Sequence, residues 1–159
     1  MNVKPGTKDI LGLLARLAVG GVFIYAGLIK ALAPAEEFGY AIESYKLLNA
    51  QLSLWAAYIV PWVELYTGLL LAAGIFTRLN SVLAGAMLLF FEAMLGQAWL
   101  RGLPITSCGC FGSGGGNSIT REFIQNLVFL ALAWAAYRSG AAWSADTACE
   151  NSVTYPRPD

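Results

Sequence analysis

Long apolar runs separated by short polar segments dominate the pattern of this chain. Four runs contain enough residues to cross about 30 Å of hydrocarbon as helices that rise about 1.5 Å per residue. Short connections between such helices make chain neighbours antiparallel. The pattern therefore predicts an all-α integral membrane protein, an antiparallel bundle of four transmembrane helices at Ile10–Leu32, Leu52–Phe76, Leu79–Leu100 and Arg121–Trp143.

One further helix is predicted in the connection between the first two runs, "PAEEFGYAIESYKLLN". Phe38, Ile42 and Tyr45 recur at helical spacing, while Glu36 and Glu43 occupy other faces. An amphipathic pattern of this kind is typical of a short helix at the membrane surface. We therefore expect an interfacial helix between the first two spans, and a tight turn between the second and third.

The same pattern predicts one domain. Residues 1–143 form the expected transmembrane domain, and the polar residues 144–159 form a C-terminal tail. The first apolar run is longer than the core of a signal peptide, so we expect it to be retained as a membrane helix.

Composition narrows the function further. Hydrophobic residues make up 57% of the chain, and ten basic residues balance ten acidic ones, so no basic surface for nucleic acid is expected. Histidine is absent, which removes the commonest general base, metal ligand and haem ligand. The three cysteines are the remaining redox-active groups.

Three ionisable residues fall within the predicted spans, namely Arg16, Glu64 and Glu92. A charge in the bilayer normally needs a partner. Counting helical rises puts Arg16 and Glu64 at depths about 6 Å apart, which predicts an ion pair between them. Glu92 is expected to be protonated or hydrogen-bonded. These groups serve either as structural contacts or in proton or quinone chemistry.

Two cysteines, Cys108 and Cys110, flank a single glycine in the third connection, which is rich in glycine. A disulfide between them would close a small, strained ring that is easily reduced. The dipole of the last helix and Arg121 would favour a thiolate nearby. The alternatives are a static structural disulfide or capture of a soft ion such as Cu(I) or Hg(II). Cys149 in the tail is expected to be a bystander.

The direction of the chain across the membrane follows from this thiol pair, because basic residues are nearly balanced between the two sides. A disulfide is more useful in an oxidising compartment. We therefore predict a multi-pass protein of the bacterial inner membrane, with cytoplasmic termini and a periplasmic cysteine loop.

Five segments together resemble the methylamine utilisation protein MauE family, a branch of the wider DoxX-like membrane proteins. The matching segments are "RLAVGGVFIYAGLIKAL", "FGYAIESYKLL", "VPWVELYTGLLLAAG" with "TR", "CGCFG", and "REFIQNLVFLALA". The specific element is "CGCFG", which contains Gly109, Phe111 and Gly112 beside the cysteines. The other positions that the resemblance marks are Arg16, Lys30, Tyr45, Pro61 and Glu64.

The resemblance implies that Cys108 and Cys110 are the redox pair of a thiol-disulfide oxidoreductase or accessory factor. Its implied partners are a periplasmic thioredoxin-like protein and an exported client that contains disulfides, such as the methylamine dehydrogenase small subunit. No cofactor is required, and a quinone is a candidate electron acceptor. A membrane disulfide generator usually has two exchanging pairs, and one is visible here. The alternative function is therefore a non-catalytic structural subunit that packs against other membrane subunits of a redox complex.

Overall fold

Helices account for nearly all of the described structure. The computed structural model describes residues 6–103, 119–139 and 144–145. Within these ranges there are five helices and no strand, so the predicted all-α class is confirmed there. The helices are α1 (Thr7–Leu32), α2 (Ala35–Ser44), α3 (Ala50–Ala73), α4 (Thr77–Leu100) and α5 (Ile119–Ser139).

Three of the helices, α1, α3 and α4, are long and apolar enough to cross a membrane. Large hydrophobic side chains point outward along them, including Leu14, Ile59 and Phe90, as expected for a protein solvated by lipid. The chain is thus a multi-pass membrane protein. Helix α5 has 21 residues, which gives a length of about 31 Å. Its first two turns are polar, so α5 as a whole is less apolar than α1, α3 and α4. The fourth span therefore stays a prediction.

Helices α1 and α3 run antiparallel and in close contact. A Cβ atom at Gly68 would lie 2.8 Å from the carbonyl oxygen of Gly20, and one at Gly27 would lie 2.7 Å from that of Pro61. Residue numbers rise along one helix as they fall along the other. Small residues let the two backbones approach closely, which is how helices associate in a bilayer.

Helix α5 packs between α1 and α4. Its last residue, Ser139, contacts Gly12 of α1. Along α4, Gly96 lies opposite Phe123 and Gly85 lies opposite Leu130, so α4 and α5 are also antiparallel. A buried cluster from all four long helices fills the centre and comprises Val19, Phe23, Leu71, Ala84, Leu88 and Ala133.

The predicted amphipathic helix is confirmed as α2. Its apolar face packs on α3, where Phe38 and Ile42 contact Ala57, while Glu36 and Glu37 face outward. Two acidic residues in the first turn suit a helix N-terminus. The position of α2 at a membrane surface stays a prediction.

The predicted tight turn joins α3 to α4. Gly74 adopts a left-handed conformation with φ of 75°, and the next amide, of Ile75, donates to Leu70 at 2.9 Å, as in a Schellman motif. Phe76 is also left-handed, with φ of 47°. The Asn80 side chain donates to the carbonyl oxygens of Ile75 at 2.8 Å and Phe76 at 3.3 Å. These bonds tie the carbonyl groups of the turn to the first turn of α4.

Candidate functional site

A buried ion pair joins α1 to α3. The Lys30 ammonium donates to both carboxylate oxygens of Glu64, at 2.6 Å to Oε1 and 2.7 Å to Oε2. Each residue is only 3% exposed. A bidentate contact of this kind is needed to offset the cost of taking two charges out of water. The sequence resemblance marked both positions, and the structure brings them together.

The predicted ion pair between Arg16 and Glu64 is wrong. The Arg16 guanidinium lies against the turn that follows α3, where Nη1 is 2.6 Å from the position of a Cβ atom on Gly74. Gly74 comes ten residues after Glu64, which is about 15 Å along a helix. The prediction measured depth from expected helix ends, whereas α1 extends beyond the α3–α4 turn, so the two helices are staggered.

Two aromatic rings from other helices pack against the Lys30 ammonium of the ion pair. The Lys30 ammonium lies 5.2 Å from the ring centroid of Phe38 in α2 and 5.5 Å from that of Phe91 in α4. Both distances fall within the range of cation–π attraction. The same two rings line an apolar cavity of about 390 Å³ between α2, α3 and α4. The ion pair is thus separated from an apolar cavity by single aromatic side chains.

More polar side chains are buried on α4 and α5, near the same end of the bundle. Both carboxyl oxygens of Glu92 and both amide atoms of Gln97 are buried and meet no described residue at strict hydrogen-bond geometry. Asn126 of α5 lies beside the Glu92 carboxyl, to which its side-chain amide is the neighbouring donor, and its amide nitrogen is also buried. These residues and the ion pair form the loop-side cluster: Lys30, Glu64, Glu92, Gln97 and Asn126.

The loop-side cluster reaches toward the end of the bundle where α4 ends and α5 begins. Gln97 is one turn before the end of α4, and Asn126 is two turns after the start of α5. Glu122, one turn earlier on α5, is also buried. The cluster therefore extends from Glu64, near the middle of the bundle, toward the end where α4 ends and α5 begins.

The predicted thiol site itself falls in that connecting segment. Cys108, Gly109, Cys110, Phe111 and Gly112 lie outside the described residues, as does Cys149. Arg121, the remaining predicted residue of this site, is in the first turn of α5 with an exposed side chain. Its effect on a thiolate stays a prediction.

Sequence reasoning missed two members of the loop-side cluster, Gln97 and Asn126. Glu122 and Asn126 are four residues apart and therefore share one face of α5. That spacing within an apolar run could have identified a buried polar face. The prediction considered ionisable residues only, and Gln97 and Asn126 are neutral amides, which cost less to bury than charged groups.

Comparisons with known proteins agree on one family. The family model described as methylamine utilisation protein MauE matches residues 8–139. The methylamine utilization protein MauE of Paracoccus denitrificans is 32% identical over 121 residues, which cover 76% of this chain and 64% of that protein. The chain thus spans somewhat less than two thirds of the length of this relative. No solved structure matches the chain significantly. The wider DoxX-like grouping stays a prediction.

Proposed function

Because the chain belongs to the methylamine utilisation protein MauE family, we propose that it is a membrane accessory factor for disulfide formation in an exported protein of methylamine utilisation. Cys108 and Cys110 are the exchanging pair, and a thioredoxin-like protein is the partner. The name of the Paracoccus relative, methylamine utilization protein MauE, supports the process. The thiol chemistry rests on the sequence of the α4–α5 connection.

One observation carries the thiol proposal: the two cysteines lie in the connection between α4 and α5. Since α4 and α5 pack antiparallel, this connection begins and ends on one side of the bundle. A soluble partner can reach a cysteine there without entering the bilayer. We place this side in the periplasm of the bacterial inner membrane, with α5 as a fourth span and both termini in the cytoplasm.

The proposed exchange begins when a thiolate of the partner attacks the Cys108–Cys110 disulfide. One cysteine leaves as a thiolate, and a mixed disulfide forms between the two proteins. The second thiol of the partner then displaces the remaining cysteine. The partner gains a disulfide and loses two electrons and two protons, which reduce Cys108 and Cys110 to thiols. A membrane quinone, reduced to a quinol by two electrons and two protons, is the proposed acceptor that restores the disulfide.

The test is to measure the thiol state and the reduction potential of the pair. In intact cells, a membrane-impermeant alkylating reagent should label Cys108 and Cys110 only after mild reduction. Purified protein in glutathione buffers should show a more oxidising potential than a structural disulfide. The Cys108→Ser and Cys110→Ser variants should lose client oxidation, while Cys149→Ser is the matched control. Unchanged client disulfides in both loop variants would contradict the proposal.

A structural subunit of a larger membrane redox complex is the second candidate, and the Lys30–Glu64 pair favours it. This pair ties α1 to α3 and is buried too deeply for contact with a soluble partner. On this hypothesis, the Cys108→Ser/Cys110→Ser double variant assembles with its membrane partners and supports client maturation. Substitutions in the ion pair alone would then abolish function.

A further inference from the structure

A small, partly open cavity lies between the four long helices at the Lys30–Glu64 pair. The space in it that is open to the centre of a water-sized sphere is about 30 Å³, and one water needs about 10–15 Å³ of such space. Three of the side chains that line it are polar, namely Lys30, Glu64 and Asn126. The remaining lining is apolar and comes from Val22, Phe23, Ala26, Leu88, Phe91 and Phe129.

The polar groups around this cavity have hydrogen-bonding capacity to spare. The Lys30 ammonium carries three N–H groups, and two of them are directed to the carboxylate oxygens of Glu64. Those oxygens keep further lone pairs. Asn126 is 6% exposed. Its amide nitrogen carries two N–H groups, so it can donate to a ligand in the cavity as well as to the neighbouring Glu92 carboxyl. Donors and acceptors therefore both converge on the cavity.

Size and polarity together select the ligand. A second cation would meet the Lys30 ammonium, and an anion would meet the Glu64 carboxylate. An apolar atom would leave the Asn126 amide unsatisfied in a hydrocarbon interior, which costs a few kcal/mol. Water both donates and accepts, and buried waters typically make about three hydrogen bonds. We propose that one water molecule binds in this cavity and links the Lys30–Glu64 ion pair to Asn126.

This water would connect parts of the bundle that share no direct side-chain bond. Lys30 and Glu64 belong to α1 and α3, and Asn126 belongs to α5, whose start follows the cysteine segment. Asn126 is also the hydrogen-bond neighbour of Glu92 of α4. Through the water and Asn126, each long helix thus contributes one polar residue to a single network. The proposal does not depend on thiol exchange.

Hydroxyl-radical labelling by X-ray radiolysis tests the proposal, because a buried side chain is labelled when a bound water lies next to it. The protein in detergent is irradiated, and oxidation at each residue is measured by mass spectrometry. In the wild type, Phe23, which lines the cavity and is 5% exposed, should be labelled, whereas the fully buried Leu71, which does not line the cavity, should not. Exposed Phe76 is the positive control. Absence of label at Phe23 would overturn the proposal.

A pair of variants then tests the role of Asn126. Asn126→Leu should lower labelling of Phe23 several-fold, because the leucine side chain offers no donor to the water. Gln125→Leu, an amide replaced one position away and off the cavity lining, should keep wild-type labelling. Equal labelling in a folded Asn126→Leu protein would also contradict the proposed link.

Discussion

The two ends of the helical bundle bury polar side chains in different ways. At the end with the α3–α4 turn, the polar groups serve the backbone: Asn80 bonds to the carbonyls of Ile75 and Phe76, and the Ser81 hydroxyl donates to the Thr77 carbonyl at 2.7 Å. In the loop-side cluster, polar side chains pair with one another, as Lys30 does with Glu64 and Asn126 with Glu92. The buried amide of Gln97 meets no described residue at hydrogen-bond geometry.

This difference indicates which end is built for more than folding. A tight turn has backbone carbonyl groups that need donors, so polar side chains beside it serve a requirement of any bundle. The loop-side cluster answers no such requirement, since its members lie within helices whose backbone is already bonded. Buried polar groups in a membrane are costly and mark functional sites by default. Two members of the cluster, Gln97 and Asn126, also lie near the ends of the helices that the cysteine segment connects.

The largest expected effect comes from breaking the Lys30–Glu64 pair. Glu64→Gln leaves the Lys30 ammonium without a countercharge, and loss of one partner of a buried ion pair costs about 3–5 kcal/mol. Reversible unfolding in mixed detergent micelles measures this loss. The Lys30→Met/Glu64→Met double variant should recover most of the stability, because no buried charge remains. A single variant that loses less than about 1 kcal/mol would show that the pair is hydrated far more than its burial indicates.

The next effect concerns the close approach of α1 to α3 beside that pair. At Gly27, an added methyl group would meet backbone atoms of α3, with the Pro61 oxygen at 2.7 Å and the Leu65 nitrogen at 2.8 Å. Backbone atoms move little, so Gly27→Ala should cost about 3 kcal/mol, the upper end for overpacking. Gly21→Ala is the matched control in α1, because no atom lies within 4 Å of its added methyl group. It should be neutral or slightly stabilising, and equal losses in both variants would contradict the packing.

A smaller effect is expected at the turn end, where Arg16 packs on Gly74. Two glycines with positive φ separate conformational strain from contact. A methyl group added at Gly74, with φ of 75°, would meet Arg16 and the Ser144 Cα atom at 3.0 Å, whereas one added at Gly102, with φ of 60°, would have no non-neighbouring atom of the described residues within 4 Å. Gly102→Ala should cost about 1 kcal/mol from strain alone. Gly74→Ala should cost about 2 kcal/mol, because its methyl group also meets these atoms. In an Arg16→Met background the extra loss should become smaller, since the contact with Ser144 remains. Unfolding free energies measure both losses.

Sequence reasoning recovered the helices better than it recovered their mutual positions. Apolar periodicity located α1, α3 and α4 to within about three residues at each end, because hydropathy is a local property. The partner of Glu64 depends on how far one helix slides along another, which small residues such as Gly20 and Gly68 determine through contact. A count of residues along each helix does not give this stagger. The sequence therefore predicts Arg16 as the partner of Glu64, whereas the structure shows Lys30.

The smallest predicted effect sharpens the comparison at the turn end. Asn80→Ala removes the bonds to the carbonyls of Ile75 and Phe76 and should cost about 1 kcal/mol. If these bonds hold Phe76 in its left-handed conformation, Asn80→Ala should cost less in a Phe76→Gly background, since glycine adopts positive φ without strain. Phe76 is 66% exposed, so loss of its ring costs little packing. A double-mutant cycle on unfolding free energies measures the coupling. Additive losses would mean that Asn80 stabilises α4 independently of the conformation of Phe76. The bonds from Asn80 would then not serve to hold the backbone of the turn.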